Sequence, residues 1–314
     1  MRSLVTVLSL AALLAAGASA SANGDGTSSS PPAAAPVATA PSAAAPTASA
    51  PPAAAPAASA AASPQDPAAA RWCAPELASL PGEVCAFLPA KPAPGPRVLV
   101  IFLHGVVQPD SGWQWAQQRG AARAGARHGA AVMMPRGRRG IGPKAMPNSM
   151  EDWWCWPTAS AAQTAHEDAL LAEWDAARAE LERRAGARFE RVLVFGFSNG
   201  AYYATSLAMR GRLPVDGYAA FAGGSGARYL QRAGAQTKLR APVFVGWGGK
   251  DPAHKDQVAL AKMLRRLKWP SRSLGKPRAG HAMTDEQVDE AFAFLSGRRG
   301  GDKAPGRGRG ARTR

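Results

Sequence analysis

Residues 191–201, RVLVFGFSNGA, carry a buried-looking strand straight into a serine fenced by two glycines. A run this rich in Val, Leu and Phe reads as apolar on both faces, the condition of a central strand in a parallel sheet covered from both sides. The abrupt Gly-Phe-Ser-Asn-Gly then demands a very tight corner, in which Gly196 and Gly200 keep Cβ atoms away from a serine held between strand and helix. Such a corner pushes the hydroxyl of Ser198 into the open. The same pattern also arises by chance in a chain with 33 glycines, so the rest of the sequence must decide its meaning.

Both ends of the 314-residue chain look unfit to join a core. Residues 1–20 combine Arg2, an apolar run and small residues at Ala18 and Ala20, the shape of a secretory signal and too short to span a membrane comfortably. Residues 21–70 are almost wholly Ala, Pro and Ser, without the bulky apolar groups that offset the entropy of ordering, and are expected to form an extended tether. Residues 298–314 are glycine-rich and carry seven Arg or Lys against one Asp, which predicts a disordered basic tail. The formal net charge of +16 is therefore partly a property of this tail. No recognisable nucleic-acid module accompanies it, so no nucleic-acid partner is expected; an electrostatic contact of the tail with an anionic envelope is kept open.

Residues 71–297 then hold the folded domain. EVCAFLP (83–89) reads as an edge strand, RVLVIFLHG (97–105) as a central one, and GAAVMMP (129–135) as a short buried one. A helical pattern covers 159–185, with Leu170, Trp174, Ala177 and Leu181 on one face. Further helices are expected over 199–210, 257–267 and 284–295, with strands in DGYAAFAGGSG and APVFVGWGGKDP. Strands alternating with helices give one α/β domain with a mainly parallel central sheet and helices on both faces. Of three cysteines, Cys73 and Cys85 are the favoured pair in an oxidising compartment. Cys155 is then the odd thiol, or the partner of one of them.

A nucleophilic serine needs a base, a group that orients the base, and N–H donors where negative charge develops. The carboxyl ends of parallel strands are where such groups gather. Asp251 follows the strand PVFVGW in GGKDP, and His281 follows thirty residues later in AGHAM, just before the last helix. Ser198, Asp251 and His281 are thus the candidate catalytic residues, in the chain order of an α/β-hydrolase. His128, His166 and His254 compete poorly, and His104 reads as structural or as shaping the loop that follows it. The N–H groups of Asn199 and Val106, with Val107 close behind, are the candidate oxyanion hole.

FLHGVVQ, AHEDALLAEW, RVLVFGFSNGAYYA, GGKDP and GHAM together resemble the secreted polyhydroxybutyrate depolymerase-like and feruloyl-esterase-like branch of the α/β-hydrolases. The resemblance covers about residues 97–295 and implies a Ser-Asp-His carboxylic ester hydrolase without metal or organic cofactor. It departs from that branch at Val106, where a cysteine is common.

The loop EDWWCWP offers Trp153, Trp154 and Trp156 as candidate substrate contacts, against the alternative that they pin the loop to the body. Trp113, Trp115, Tyr202 and Tyr203 invite the same two readings. The expected substrate is a small-molecule or oligomeric ester met outside the cell or in the periplasm. A serine peptidase of the same fold and a noncatalytic exported binding protein are the rival readings.

Overall fold

In a computed structural model of the protein, residues 72–143 and 149–297 are described. The signal, tether and tail expectations fall outside them.

The strands are β1 (Ala78–Leu80), β2 (Val84–Phe87), β3 (Val98–Leu103), β4 (Ala131–Met134), β5 (Arg191–Phe197), β6 (Gly217–Phe221), β7 (Val243–Gly248) and β8 (Ser271–Lys276). The helices are α1 (Trp113–His128), α2 (Ser160–Ala185), α3 (Asn199–Arg210), α4 (Arg228–Gln236), α5 (His254–Arg266) and α6 (Asp285–Leu295). The strands form one sheet in the order β1-β2-β4-β3-β5-β6-β7-β8. It is antiparallel at β1/β2 and β2/β4 and parallel across the remaining pairs. With helices on both faces, this is the α/β-hydrolase architecture.

Continuous apolarity in the central strands has the consequence read from it. Leu99, Ile101 and Leu103 of β3 join Val192 and Val194 of β5 in one core, covered by α2, α3, α4 and α5. The intervening Val100, Phe102, Leu193 and Phe195 face a second core under α1 and α6. A strand residue changes face at every step, so both cores are needed to keep β3 and β5 dry. The expected face of α2, Leu170, Trp174, Ala177 and Leu181, is buried in the first core.

The structure corrects some boundaries. β2 is not the edge strand, because β1 pairs outside it through Ala78, Ser79 and Leu80. Helix α5 begins at His254 rather than Gln257. At α6, Thr284 is the N-cap rather than the first helical residue; its hydroxyl accepts from the Gln287 N–H while the Gln287 side chain accepts from the Thr284 N–H. Cys73 and Cys85 form a disulfide and Cys155 is a free, buried thiol. Burial pushes the Cys155 pKa up to about 12, so it is a packed group rather than a reactive one. Among the described residues no helix is long and apolar enough to cross a membrane.

Candidate active site

Ser198 stands on the corner between β5 and α3, with φ 54° and ψ −118°, and at 5% exposure it is buried rather than in the open. A non-glycine residue in such a conformation costs on the order of 1–3 kcal/mol and persists only where its surroundings impose it. Here they do. A Cβ on Gly196 would collide with the Gly200 carbonyl, and one on Gly200 with the Leu103 and His104 carbonyls. The Ser198 N–H is tied to the Phe221 carbonyl of β6 at 2.9 Å. Helix α3 begins at Asn199, so the Asn199 N–H is among the first helical donors, which have no carbonyl of their own helix to bond.

His281 lies in the loop between β8 and α6. Its Nε2 is 2.9 Å from Ser198 Oγ and its Nδ1 is 2.9 Å from Asp251 Oδ1. Because a carboxylate only accepts, Nδ1 carries the proton and Nε2 is left to accept from the serine hydroxyl. Asp251, in the turn that follows β7, is buried and accepts two further bonds, from the Ala253 N–H at 2.8 Å and from Gln257 Nε2 at 2.9 Å. Burial opposes its ionisation, but the bonds from His281, Gln257 and Ala253 more than offset this and hold its pKa below the ordinary carboxylate value.

The loop after β3 runs beside the corner: a Cβ on Gly105 would stand 3.2 Å from the Ser198 Cβ. The Gly105 N–H donates to Gln117 Oε1 at 2.7 Å and its carbonyl accepts from His104 Nδ1. His104 Nε2 in turn accepts the Gly137 N–H at 3.0 Å. These partners define one neutral tautomer, and burial, partly countered by the Gly105 carbonyl, lowers the ring's pKa to about 4. Val107 exchanges both backbone hydrogen bonds with Trp154, at 3.1 and 2.9 Å. Its N–H is therefore occupied. Among the described residues nothing accepts from the N–H of half-buried Val106, the residue after Gly105, so that donor is uncommitted.

The tryptophan loop does something other than line an open pocket. Trp156 is fully buried, stacked on Tyr203 at 5.9 Å, with its indole N–H on the His104 carbonyl at 2.8 Å. Its backbone N–H donates to Asn199 Oδ1 at 2.6 Å. The expectation of substrate contact is thus corrected for Trp156, a core residue that ties the β3 loop to the start of α3. Trp154 is half-buried beneath the Arg136 guanidinium, 4.1 Å from its ring, and braces Val107. Trp153 is half-buried, its N–H bonded to the Met150 carbonyl. Tyr203 is buried and Tyr202 donates to Asp256 at 2.7 Å, whereas Trp113 remains 53% exposed.

Gln117, Gln257 and Trp72 escaped the sequence reading, since each acts on a residue whose position only the fold supplies. Clefts of about 410 and 240 Å³ lie elsewhere, beside Arg210 and Lys238 and beside Leu88 and Phe189. Neither is lined by Ser198, Asp251 or His281. Among the described residues no group of three His, Cys, Asp or Glu side chains is arranged to hold a metal ion.

No curated protein matches the chain. Among solved structures, esterase PE8 is similar at 19% identity over 70% of this chain and 99% of its own, with a TM-score of 0.47. FphF, a fluorophosphonate-binding serine hydrolase of Staphylococcus aureus, is similar at 14% identity over 68% of this chain and 91% of its own, TM-score 0.47. Acyl-protein thioesterase 2 of Zea mays is similar at 15% identity over 69% and 99%, TM-score 0.44. A family model described as phospholipase/carboxylesterase matches residues 89–296, a span that holds Ser198, Asp251 and His281. The chain belongs to the phospholipase/carboxylesterase family of α/β-hydrolases.

Proposed function

We propose that the protein is an exported serine carboxylic ester hydrolase in which Ser198 is the nucleophile, His281 the general base and acid, and Asp251 the group that orients His281. One observation carries the reading: the unbroken Ser198–His281–Asp251 hydrogen-bond chain, 2.9 Å at each link, at a strained strand-to-helix corner.

Ser198 Oγ attacks the ester carbonyl carbon while its proton passes to His281 Nε2, and the C=O π electrons move onto oxygen. The Asn199 and Val106 N–H groups receive that oxyanion, each such donor being worth roughly 2.7–4 kcal/mol in the transition state. Collapse expels the alcohol, which takes the proton from His281 and leaves an acyl-serine. Water then repeats the sequence against the acyl group, giving up a proton to His281 and releasing the acid and free Ser198.

Export is inferred from the signal-like residues 1–20 and is supported by the Cys73–Cys85 disulfide, which an oxidising compartment preserves. Within the family, the motifs GFSNGAYYA and GHAM favour a relationship to the polyhydroxybutyrate depolymerase-like and feruloyl-esterase-like branch. The proposed substrate is a soluble or short-chain ester. Turnover of short p-nitrophenyl esters tests the reading: it should vanish in a folded Ser198→Ala protein, and undiminished turnover there would reject Ser198. Faster cleavage of amides than of their matched esters would favour the peptidase alternative.

A further inference from the structure

Residues 72–74 lie far in sequence from Ser198, Asp251 and His281, yet they are fixed at three points. Gln118 on α1 holds two of them, accepting the Ala74 N–H at 2.9 Å and donating to the Trp72 carbonyl at 2.9 Å. The disulfide fixes the third, joining Cys73 to Cys85 in β2. Trp72, only 8% exposed, packs its ring against His104, the first residue of the loop that follows β3. Its centroid lies 5.1 Å from the His104 ring and 5.9 Å from the Trp154 ring, and the Arg136 guanidinium is 5.9 Å away.

His104 and Trp154 are two of the groups that hold this loop. His104 donates to the Gly105 carbonyl, and the Trp154 backbone exchanges both hydrogen bonds with Val107. Val106 lies between these two residues in the chain. Trp156 supports His104 on a second side, with centroids 4.8 Å apart, so the imidazole is wedged between two indoles. Removing Trp72 would free the ring to tilt and would loosen Gly105 and Val107 together.

We propose that Trp72 is a positioning residue for the oxyanion loop, and that Gln118 and the Cys73–Cys85 disulfide form a clasp that keeps it in place. The inference rests on the esterase reading above. It gives the N-terminal edge of the domain a catalytic consequence although Trp72 touches no reacting atom. Donor geometry enters the rate steeply, and a misplacement of about 1 Å can cost on the order of a hundredfold.

The experiment compares wild type, Trp72→Ala, Trp72→Phe and the double variant Cys73→Ala/Cys85→Ala. Each is assayed for kcat and KM on a short p-nitrophenyl ester and for inhibition by a trifluoromethyl ketone. That inhibitor reports the oxyanion loop: a Ser198 Oγ–carbon bond forms, the ketone C=O π bond becomes an oxyanion, and the serine proton moves to His281. Trp72→Ala should lower kcat about ten- to a hundredfold with KM within a few-fold, and weaken the ketone in proportion to the loss in kcat/KM. Trp72→Phe should recover most of the loss. The cysteine variant, which leaves Trp72 in the chain, should move kcat and inhibition in the same direction by less, and it decides the matter if Trp72→Ala does not fold.

Unchanged kcat and inhibition in a folded Trp72→Ala or in the cysteine variant would overturn the clasp. So would a fall in kcat with undiminished inhibition. A wild type that neither turns over esters nor binds the ketone would instead overturn the esterase reading, and the clasp would fall with it.

Discussion

Gln257 Nε2 donates to Asp251 Oδ2 at 2.9 Å, on the oxygen that His281 does not use. Gln257 is fully buried on the first turns of α5, so the carboxylate is held at both oxygens, with the Ala253 N–H sharing Oδ1. Its plane is therefore set independently of His281. Hydrogen bonds to a charged acceptor contribute roughly 1.5–3 kcal/mol. Gln257→Ala should lower kcat for a short ester about tenfold or more while KM changes little, measured by steady-state kinetics. An unaltered kcat would mean that Ala253 and His281 alone orient the carboxylate.

His104 gives the protein an acid-sensitive element apart from Asp251. Its folded pKa is about 4 against an ordinary 6.5, because burial penalises the imidazolium and Nε2 is committed to accepting from Gly137. The unfolded chain binds this proton more readily. The stabilisation from a neutral His104 is thus full above about 6.5 and is lost as pH falls towards about 4, roughly 3 kcal/mol in all. Urea unfolding across that range should show a steeper decline for wild type than for His104→Asn, which has no titrating ring there. Parallel declines would contradict a neutral buried His104.

Glu167 on α2 is buried and receives Arg210 through two nitrogens, Arg212 at 2.9 Å and the Tyr203 hydroxyl at 3.1 Å. Burial resists its charge, yet the bonds from Arg210, Tyr203 and Arg212 lower its pKa overall. Removing one partner from such a cluster strands the others. Glu167→Ala should destabilise the fold by about 3 kcal/mol, the lower end of the range for buried pairs because Arg210 and Arg212 keep some access to water. Glu167→Gln, which still accepts from Tyr203, should cost less. Equal costs in urea unfolding would place the effect in packing rather than in the charge.

The termini are expected to serve neither the chemistry nor the core. A chain trimmed to residues 71–297 should keep its turnover of a small soluble ester within a few-fold. If trimming 298–314 destroyed turnover, the tail would have to reach the site. Binding of the full chain to anionic vesicles should weaken as salt rises, with most of the salt dependence removed along with the tail.

The parts legible in the sequence were those whose causes are local. β3 and β5 announce themselves because burial on both faces demands uninterrupted apolar residues. Gly196 and Gly200 mark the corner because no side chain fits there. β8 was unreadable for the opposite reason: SRSLGK is polar and half-buried along much of its length, and its place is set by pairing with β7. β1 has three residues, and α4 buries only Leu230 and Gly234, so neither carries a usable period. The order Ser198, Asp251, His281 could be read, whereas Gln257 and Gln117 look like any helical glutamine until the fold brings them to Asp251 and Gly105. Trp156 misled because three tryptophans in an irregular loop look like a binding surface. Its true partners, His104 and Tyr203, lie about fifty residues away on either side.

Every step of the proposed reaction depends on the Ser198 hydroxyl being an activated nucleophile. Fluorophosphonate labelling of the full chain, followed by intact-mass measurement and peptide mapping, asks this of one atom without presuming a natural substrate. Wild type should gain the mass of a single phosphonyl adduct on the peptide holding Ser198, and Ser198→Ala should gain none. His281→Ala should label far more slowly, because the serine proton then has no acceptor. No adduct on wild type, or an adduct that persists in Ser198→Ala, would contradict the assignment of Ser198 as nucleophile.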